Sequence, residues 1–173
     1  TVSFTAPANN GGAALTGFTV ISSPGGFTCS AAANASSCVV TGLTNGTSYT
    51  FTVVATNEIG DSVASTSSSA VTPQSAASAP TTVTATAGDG QASIAFSGAV
   101  TNGSTIASYT VQAYDSNGNE VTGATCTSST SPCTVTGLSN GSEYTFKVVT
   151  NSTVYGAGST TASLPSSSSN AIT

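Results

Sequence analysis

Four cysteines are the residues best spaced for chemistry in this sequence, Cys29 with Cys38 and Cys126 with Cys133, with eight and six residues between the partners. Paired thiols either oxidise to a disulfide or ligate a soft metal. These spacings, in a chain without a single His, do not match a zinc knuckle. Four cysteines permit three disulfide pairings. Other groups invite a chemical reading. Glu58 and Asp61 form a carboxylate pair of the kind that hydrolyses glycosides. The run Asp115-Ser-Asn117-Gly-Asn119-Glu120 offers oxygen ligands at alternate positions, as a calcium loop does. Lys147 suggests a Lys–Asn isopeptide crosslink, and Asn34, Asn45, Asn102, Asn140 and Asn151 each begin an Asn-x-Ser/Thr sequon.

Composition narrows these options. One Lys, no Arg and a net charge of -5 exclude the basic footprint that nucleic acid requires. Without His there is no Ser-His-Asp triad and no His-ligated metal or haem. The calcium run has Gly at its fourth place rather than its sixth and no carboxylate at its twelfth. Asn117-Gly118 between β stretches is the stronger signal, for a hairpin turn. The carboxylate pair has no counterpart in the second half of the chain, and so small a sandwich is expected to offer no substrate cleft. Lys147 falls on the outward parity of its strand, opposite in the repeat to Thr52. No metal, cofactor or catalytic residue is expected, and the chain reads as a non-enzyme.

The elements that position the cysteines come in duplicate. Cys38 to Asn57, CVVTGLTNGTSYTFTVVATN, aligns with Cys133 to Asn151, CTVTGLSNGSEYTFKVVTN, at an offset of 95 residues through the matching cores. Phe4 matches Phe96, and Gly17-Phe18-Thr19-Val20 matches Ser108-Tyr109-Thr110-Val111. Between the copies, PQSAASAP has no apolar period, which predicts repeats at 1–73 and 80–173 joined by a linker at 74–79. Repeat symmetry then favours one bridge within each copy, Cys29–Cys38 and Cys126–Cys133. Closing such short loops stabilises a small unit by roughly 2 to 3 kcal/mol and implies an oxidising, extracellular location.

Ser and Thr fill more than a third of the positions, charged residues only 4%. Short Thr/Val alternations break at Gly, Asn, Pro and Ser clusters, and no segment has the helical period. This predicts an all-β chain of two antiparallel sandwiches. In Tyr49-Thr-Phe-Thr-Val53 and Tyr144-Thr-Phe-Lys-Val148, period-two geometry turns Tyr, Phe and Val inward. Leu43 and Leu138 stand six residues before those tyrosines across an Asn-Gly turn, the setting of a tyrosine corner. No apolar run is long enough for a membrane-spanning helix.

At these residues the sequence resembles a known family. GLTNGTSYTFTVVATNEIGDS from Gly42 and GLSNGSEYTFKVVTNSTVYGAG from Gly137 resemble the E–F corner, F strand and F–G loop of fibronectin type III domains, most of all the low-charge, Thr/Ser-rich versions in bacterial secreted and surface proteins. Ala8 onward, ANNGGAALTGFTVISSPGG, is similar to the B–C loop and C strand. Phe4 and Phe96 stand where the family usually places Trp, the cysteine pairs are additions, and there is no Arg-Gly-Asp. The resemblance implies two immunoglobulin-like sandwiches in tandem. TTVTATA at Thr81–Ala87 supplies a strand A for the second, whereas the first opens directly on strand B. The first repeat is therefore expected to lack its strand A and to expose an edge.

These features favour a structural segment of a cell-surface or filament-forming protein, its open edge completed by a β-strand added head to tail from a neighbouring copy or from residues upstream in the parent protein. The alternative is a spacer or carbohydrate-binding accessory of a secreted polysaccharide-degrading enzyme or adhesin, with glycans as partners. Sugar platforms need solvent-facing aromatics, and Tyr114 and Tyr155 are the two placed near loops.

Overall fold

The computed structural model describes residues 1–154 and 160–173. The chain divides into two compact units, Thr1–Pro73 and Gln74–Thr173, and the described residues contain strands and no helix.

In the first unit β1 (Val2–Ser3) pairs antiparallel with β4 (Ser37–Cys38), while β2 (Leu15–Ser23) lies between β3 (Thr28–Ala32) and β5 (Thr50–Asn57). Alternate residues of β2 point into the core, so Phe18, Val20 and Ser22 are buried and Thr19 and Ile21 between them are only half-buried. Tyr49, Phe51, Val20, Cys38 and Val40 form the buried centre, with Val2, Phe4, Leu43 and Val53 packed against it.

The second unit has a sheet of β6 (Thr82–Gly88), β7 (Gln91–Ser97) and β10 (Cys133–Thr136) with β7 in the middle, and a sheet ordered β12-β11-β8-β9 from β8 (Thr105–Asp115), β9 (Glu120–Ser128), β11 (Tyr144–Thr153) and β12 (Thr160–Ala162). Ile94, Val111, Val135, Phe146 and Val148 are fully buried between them. The two units use the same aromatic pair: Phe4 packs on Phe18 with ring centroids 4.9 Å apart, and Phe96 on Tyr109 at 4.7 Å. A tilted aromatic pair, Phe–Phe in the first unit and Phe–Tyr in the second, thus occupies the place expected of a Trp, with its own ring-on-ring attraction.

The segment expected as a linker is part of the second unit. The Ser75 amide donates to the Asn102 carbonyl (3.1 Å) and the Ser78 amide to the Val100 carbonyl (2.9 Å). Ala77 is buried, its amide donating to Ser152 Oγ at 3.0 Å. A Pro/Ala/Ser composition signals a free tether only when its backbone groups are left to water, and here they are bonded.

A second feature is shared by both units. Beyond β5 in the first unit and beyond β12 in the second, the chain runs alongside β5 and β11 without forming a regular ladder. Ser62, Ser65 and Ser68 donate their amides to the carbonyls of Ala55, Val53 and Phe51, at 2.8 to 2.9 Å. Their hydroxyls accept the amides of the same three residues, each at 3.0 Å. In the second unit Ser163, Ser166 and Ser169 do the same for Thr150, Val148 and Phe146.

Candidate functional site

The cysteines sit where the two sheets of each unit come together. Cys29 on β3 is bonded to Cys38 on β4, and Cys126 on β9 to Cys133 on β10, with Cα atoms 6.1 and 6.3 Å apart. Each bridge therefore ties one sheet to the other, close to the buried centre. The tyrosine hydroxyls fold back on the preceding turn: Tyr49 Oη accepts the Thr44 amide at 3.0 Å and Tyr144 Oη the Ser139 amide at 3.1 Å. Each acceptor bond falls on the residue just after Leu43 or Leu138, and both leucines pack against their unit's core. At Tyr144 the bond from the Ser139 amide stabilises the phenolate and holds the pKa below its ordinary value. Peptide mapping of the unreduced protein is expected to yield Cys29–Cys38 and Cys126–Cys133 crosslinks. A crosslink between the repeats would overturn that connectivity.

A concave site lies in the first unit. A groove of about 930 Å³ opens between Val2–Thr5 and the serine-bearing segment 62–68, floored by Phe4, Phe18, Phe51 and Val53. This overturns the expectation that so small a sandwich would offer no cleft. The equivalent place in the second unit is covered by a strand. In the second unit β6 pairs with β7 from Thr82↔Ser97 to Gly88↔Gln91. There Asn170 holds it from the other side, its side-chain oxygen accepting the Ala85 amide (2.8 Å) and its nitrogen donating to the Ala85 carbonyl (3.0 Å). No described strand of the first unit pairs with the outer edge of β1. Ser69 stands in the place of Asn170. The consequence is visible in the core: Val148 is fully buried, whereas its counterpart Val53 is only half-buried.

A model of the fibronectin type III domain matches residues 1–71 and again residues 78–169. The chain belongs to this family. Among solved structures, domains A168–A170 from titin are similar at 16% identity and a TM-score of 0.51, covering 91% of this chain and 54% of that one. A two fibronectin type III domain segment from chicken tenascin matches at 18% identity and a TM-score of 0.43, over 96% of this chain and 86% of that one. The chicken CNTN1 FN1–FN3 domains match at 18% and 0.41, over 93% and 54%. The chain thus spans about half the length of the titin and CNTN1 segments. No curated protein matches it.

Within this fibronectin type III pair the remaining candidate residues serve local structure. Asp61 accepts the Thr56 hydroxyl at 2.7 Å and lines the groove rim, whereas Glu58 does not line it. The two carboxylates therefore do not converge on one bound molecule. Asp115 turns the β8–β9 hairpin, its carboxylate accepting the amides of Asn117 (2.9 Å) and Asn119 (2.8 Å). Those bonds, led by the one from Asn119, lower its pKa. The oxygen that the calcium reading needed is committed to backbone. Gly118, at φ 81°, takes the left-handed position of the turn. Lys147 lies over the Tyr114 ring, 4.6 Å from its centroid, and the Tyr114 hydroxyl donates to Glu120 at 3.2 Å. Burial, then the Glu120 charge, raise the Tyr114 pKa. One face of that ring is therefore covered by an ammonium and closed to a sugar, while Tyr155 lies outside the described residues. Three sequon amides are already engaged: Asn102 Nδ2 with Ala76, Asn140 with Asp89 and Asn151 with Thr110.

Sequence reasoning missed the six serines of the two edge segments and Asn170. The signal was present as Ser-x-x-Ser-x-x-Ser ending in x-x-Val or x-x-Ile, a period of three carried by Ser and not by an apolar residue. Two disulfides fit an oxidising, extracellular setting. Among the described residues no helix is long and apolar enough to cross a membrane.

Proposed function

We propose that the chain is a non-enzymatic structural segment of a cell-surface or filament-forming protein of the low-charge bacterial kind, in which copies join head to tail by β-strand addition. The open face of the first unit carries this reading. It combines an unpaired strand edge with an apolar groove beside a unit whose equivalent face is closed, and unpaired edges are templates for another chain. Contacts of that head-to-tail kind propagate into fibres unless they close on themselves. Durability outside the cell agrees with one bridge per unit and with a surface that gives proteases few charged side chains to grip.

Electron microscopy of the native full-length material tests the reading: filaments with a repeat set by the two-unit segment are expected, and uniformly monomeric particles would end it. The assembly should change little between low and high salt, because few charges exist to screen. Resistance to trypsin is also expected. The one cleavable bond follows Lys147, between Phe146 and Val148, both fully buried on β11. Cleavage must therefore wait for that strand to open, and the intact band should persist on a denaturing gel. Rapid conversion to two fragments would show the second unit to be loosely folded.

A further inference from the structure

Five Asn-Gly dipeptides, beginning at Asn10, Asn45, Asn102, Asn117 and Asn140, open this chain to a reaction that needs no enzyme. The Gly amide nitrogen, unhindered because its residue has no Cβ, attacks the side-chain carbonyl carbon of the Asn before it. A new C–N bond closes a succinimide ring, the bond to the side-chain nitrogen breaks, and that nitrogen leaves as ammonia with the proton the Gly amide has lost. Water then opens the ring at either carbonyl and gives aspartate or isoaspartate. The attack needs a Gly N–H free to give up its proton and an Asn side chain free to turn over it. Each hydrogen bond that holds either group slows the reaction.

Four of the five sites are held by distant parts of the chain. The Asn140 carboxamide is pinned at both ends, its oxygen accepting the Gly90 amide at 2.8 Å and its nitrogen donating to Asp89 at 2.6 Å. Asn102 Nδ2 donates to the Ala76 carbonyl at 3.0 Å, and the Asn102 carbonyl accepts the Ser75 amide at 3.1 Å. The Gly46 amide donates to the Pro73 carbonyl at 2.9 Å. At Asn10 the side-chain oxygen accepts the Gly12 amide (3.0 Å), the Gly11 amide donates to Asn9 Oδ1 (2.9 Å), and the Asn10 carbonyl is tied to Asn57 Nδ2 (2.7 Å). Freeing any of these sites means parting segments far apart in sequence.

Asn117 differs. The bonds that hold it and Gly118 all come from Asp115: the Asp115 carbonyl accepts the Gly118 amide at 2.9 Å, and its carboxylate accepts the Asn117 amide at 2.9 Å. Residues 116–119 are exposed at the tip of the β8–β9 hairpin, so the turn can open without breaking an apolar contact. Openings of that local kind cost the least free energy in a folded protein.

We propose that Asn117 is a modification site, the position at which the folded chain loses ammonia spontaneously and becomes isoaspartate. The product routes the main chain through the former side-chain carbon and sets a new carboxylate beside Asp115. Like charges then oppose each other in the turn, in a chain that otherwise carries only seven charged side chains. The hairpin tip therefore loosens with age, whether or not the chain forms a filament.

The test follows all five sites in the full chain, folded and warmed at neutral pH, by chymotryptic peptide mapping with isoaspartate assigned by fragmentation. Asn117 is expected to react about tenfold or more faster than each of the other four. In urea with the disulfides reduced, the five rates should converge to within about threefold, since the dipeptide is the same. Asp115→Ala should speed the reaction at Asn117 about threefold or more. Unchanged rates at the other four sites would show that variant to be folded, and Asp115→Asn, which keeps an acceptor oxygen, should stay near the original rate. A different leading site, equal rates at all five in the folded chain, or a rate at Asn117 indifferent to Asp115→Ala would overturn the proposal. So would an equal lead for Asn117 in urea, because neighbouring residues and not the fold would then set it.

Discussion

Phe146→Ala is expected to unfold the second unit at temperatures where the chain carrying the matching change, Phe51→Ala, keeps its first unit folded. Phe146 is 0% exposed and sits between two complete sheets, so its removal leaves a sealed cavity. Truncating a buried Phe costs about 3–5 kcal/mol, the transfer of the ring plus the void left behind. For a domain of this size that lowers the melting temperature by roughly 4–8 °C for each kcal/mol, and it removes much of a stability that is typically about 5–15 kcal/mol. Phe51 is 8% exposed and lines the open groove. The space it vacates is continuous with solvent, so the cavity penalty is smaller and water enters where a void would otherwise form. Residue-resolved hydrogen exchange under rising urea separates the two units and reads both losses from one chain. Equal losses in the two variants would mean that the first unit's face is covered in solution, and would point to self-association at the groove.

What could be read in the sequence was what repeats with the period of a strand or is fixed by the offset between copies. Tyr49-Thr-Phe and Tyr144-Thr-Phe announce an inward and an outward face, because alternate side chains of a strand leave on opposite sides. The order of the cysteines within each copy points to partners that the sheets bring within bonding distance. That the given residues of the first unit include no counterpart of Thr81–Ala87 was legible by comparing the two copies. The groove at that place was not, because a sequence shows which side chains face inward but not whether anything lies over them. Residues 74–79 misled for a related reason. Their bonds run from Ser amides to loop carbonyls at Val100 and Asn102, and nothing apolar in them repeats at a spacing that marks burial.

The serine-bearing edge of the second unit supplies the other large effect. Replacing Ser163, Ser166 and Ser169 together by Ala should abolish the fold of that unit. Replacing Ser167 and Ser168, both exposed, should change stability by no more than about 0.5 kcal/mol. Residues 163, 166 and 169 oppose residues 150, 148 and 146, so three residues of one segment are set against two of the other and each step contains one residue too many, as in a bulge. In a regular antiparallel pair the opposing carbonyl would accept the amide of β11. Here the extra residue carries that carbonyl away, and the serine hydroxyl takes its place, accepting from Phe146, Val148 and Thr150 at 2.9 to 3.1 Å. The hydroxyl proton is satisfied in turn by the next carbonyl along, as from Ser166 to Ser167 at 2.7 Å. Alanine therefore strands a donor at a residue that is fully buried, and an orphaned buried amide costs about 1–3 kcal/mol, about as much at each of three rungs. Thr at the same positions keeps the hydroxyl and should recover much of the loss, whereas Val matches Thr in shape without it and should recover none. If Val rescued the fold as well as Thr, packing and not the hydrogen bond would be what these serines provide.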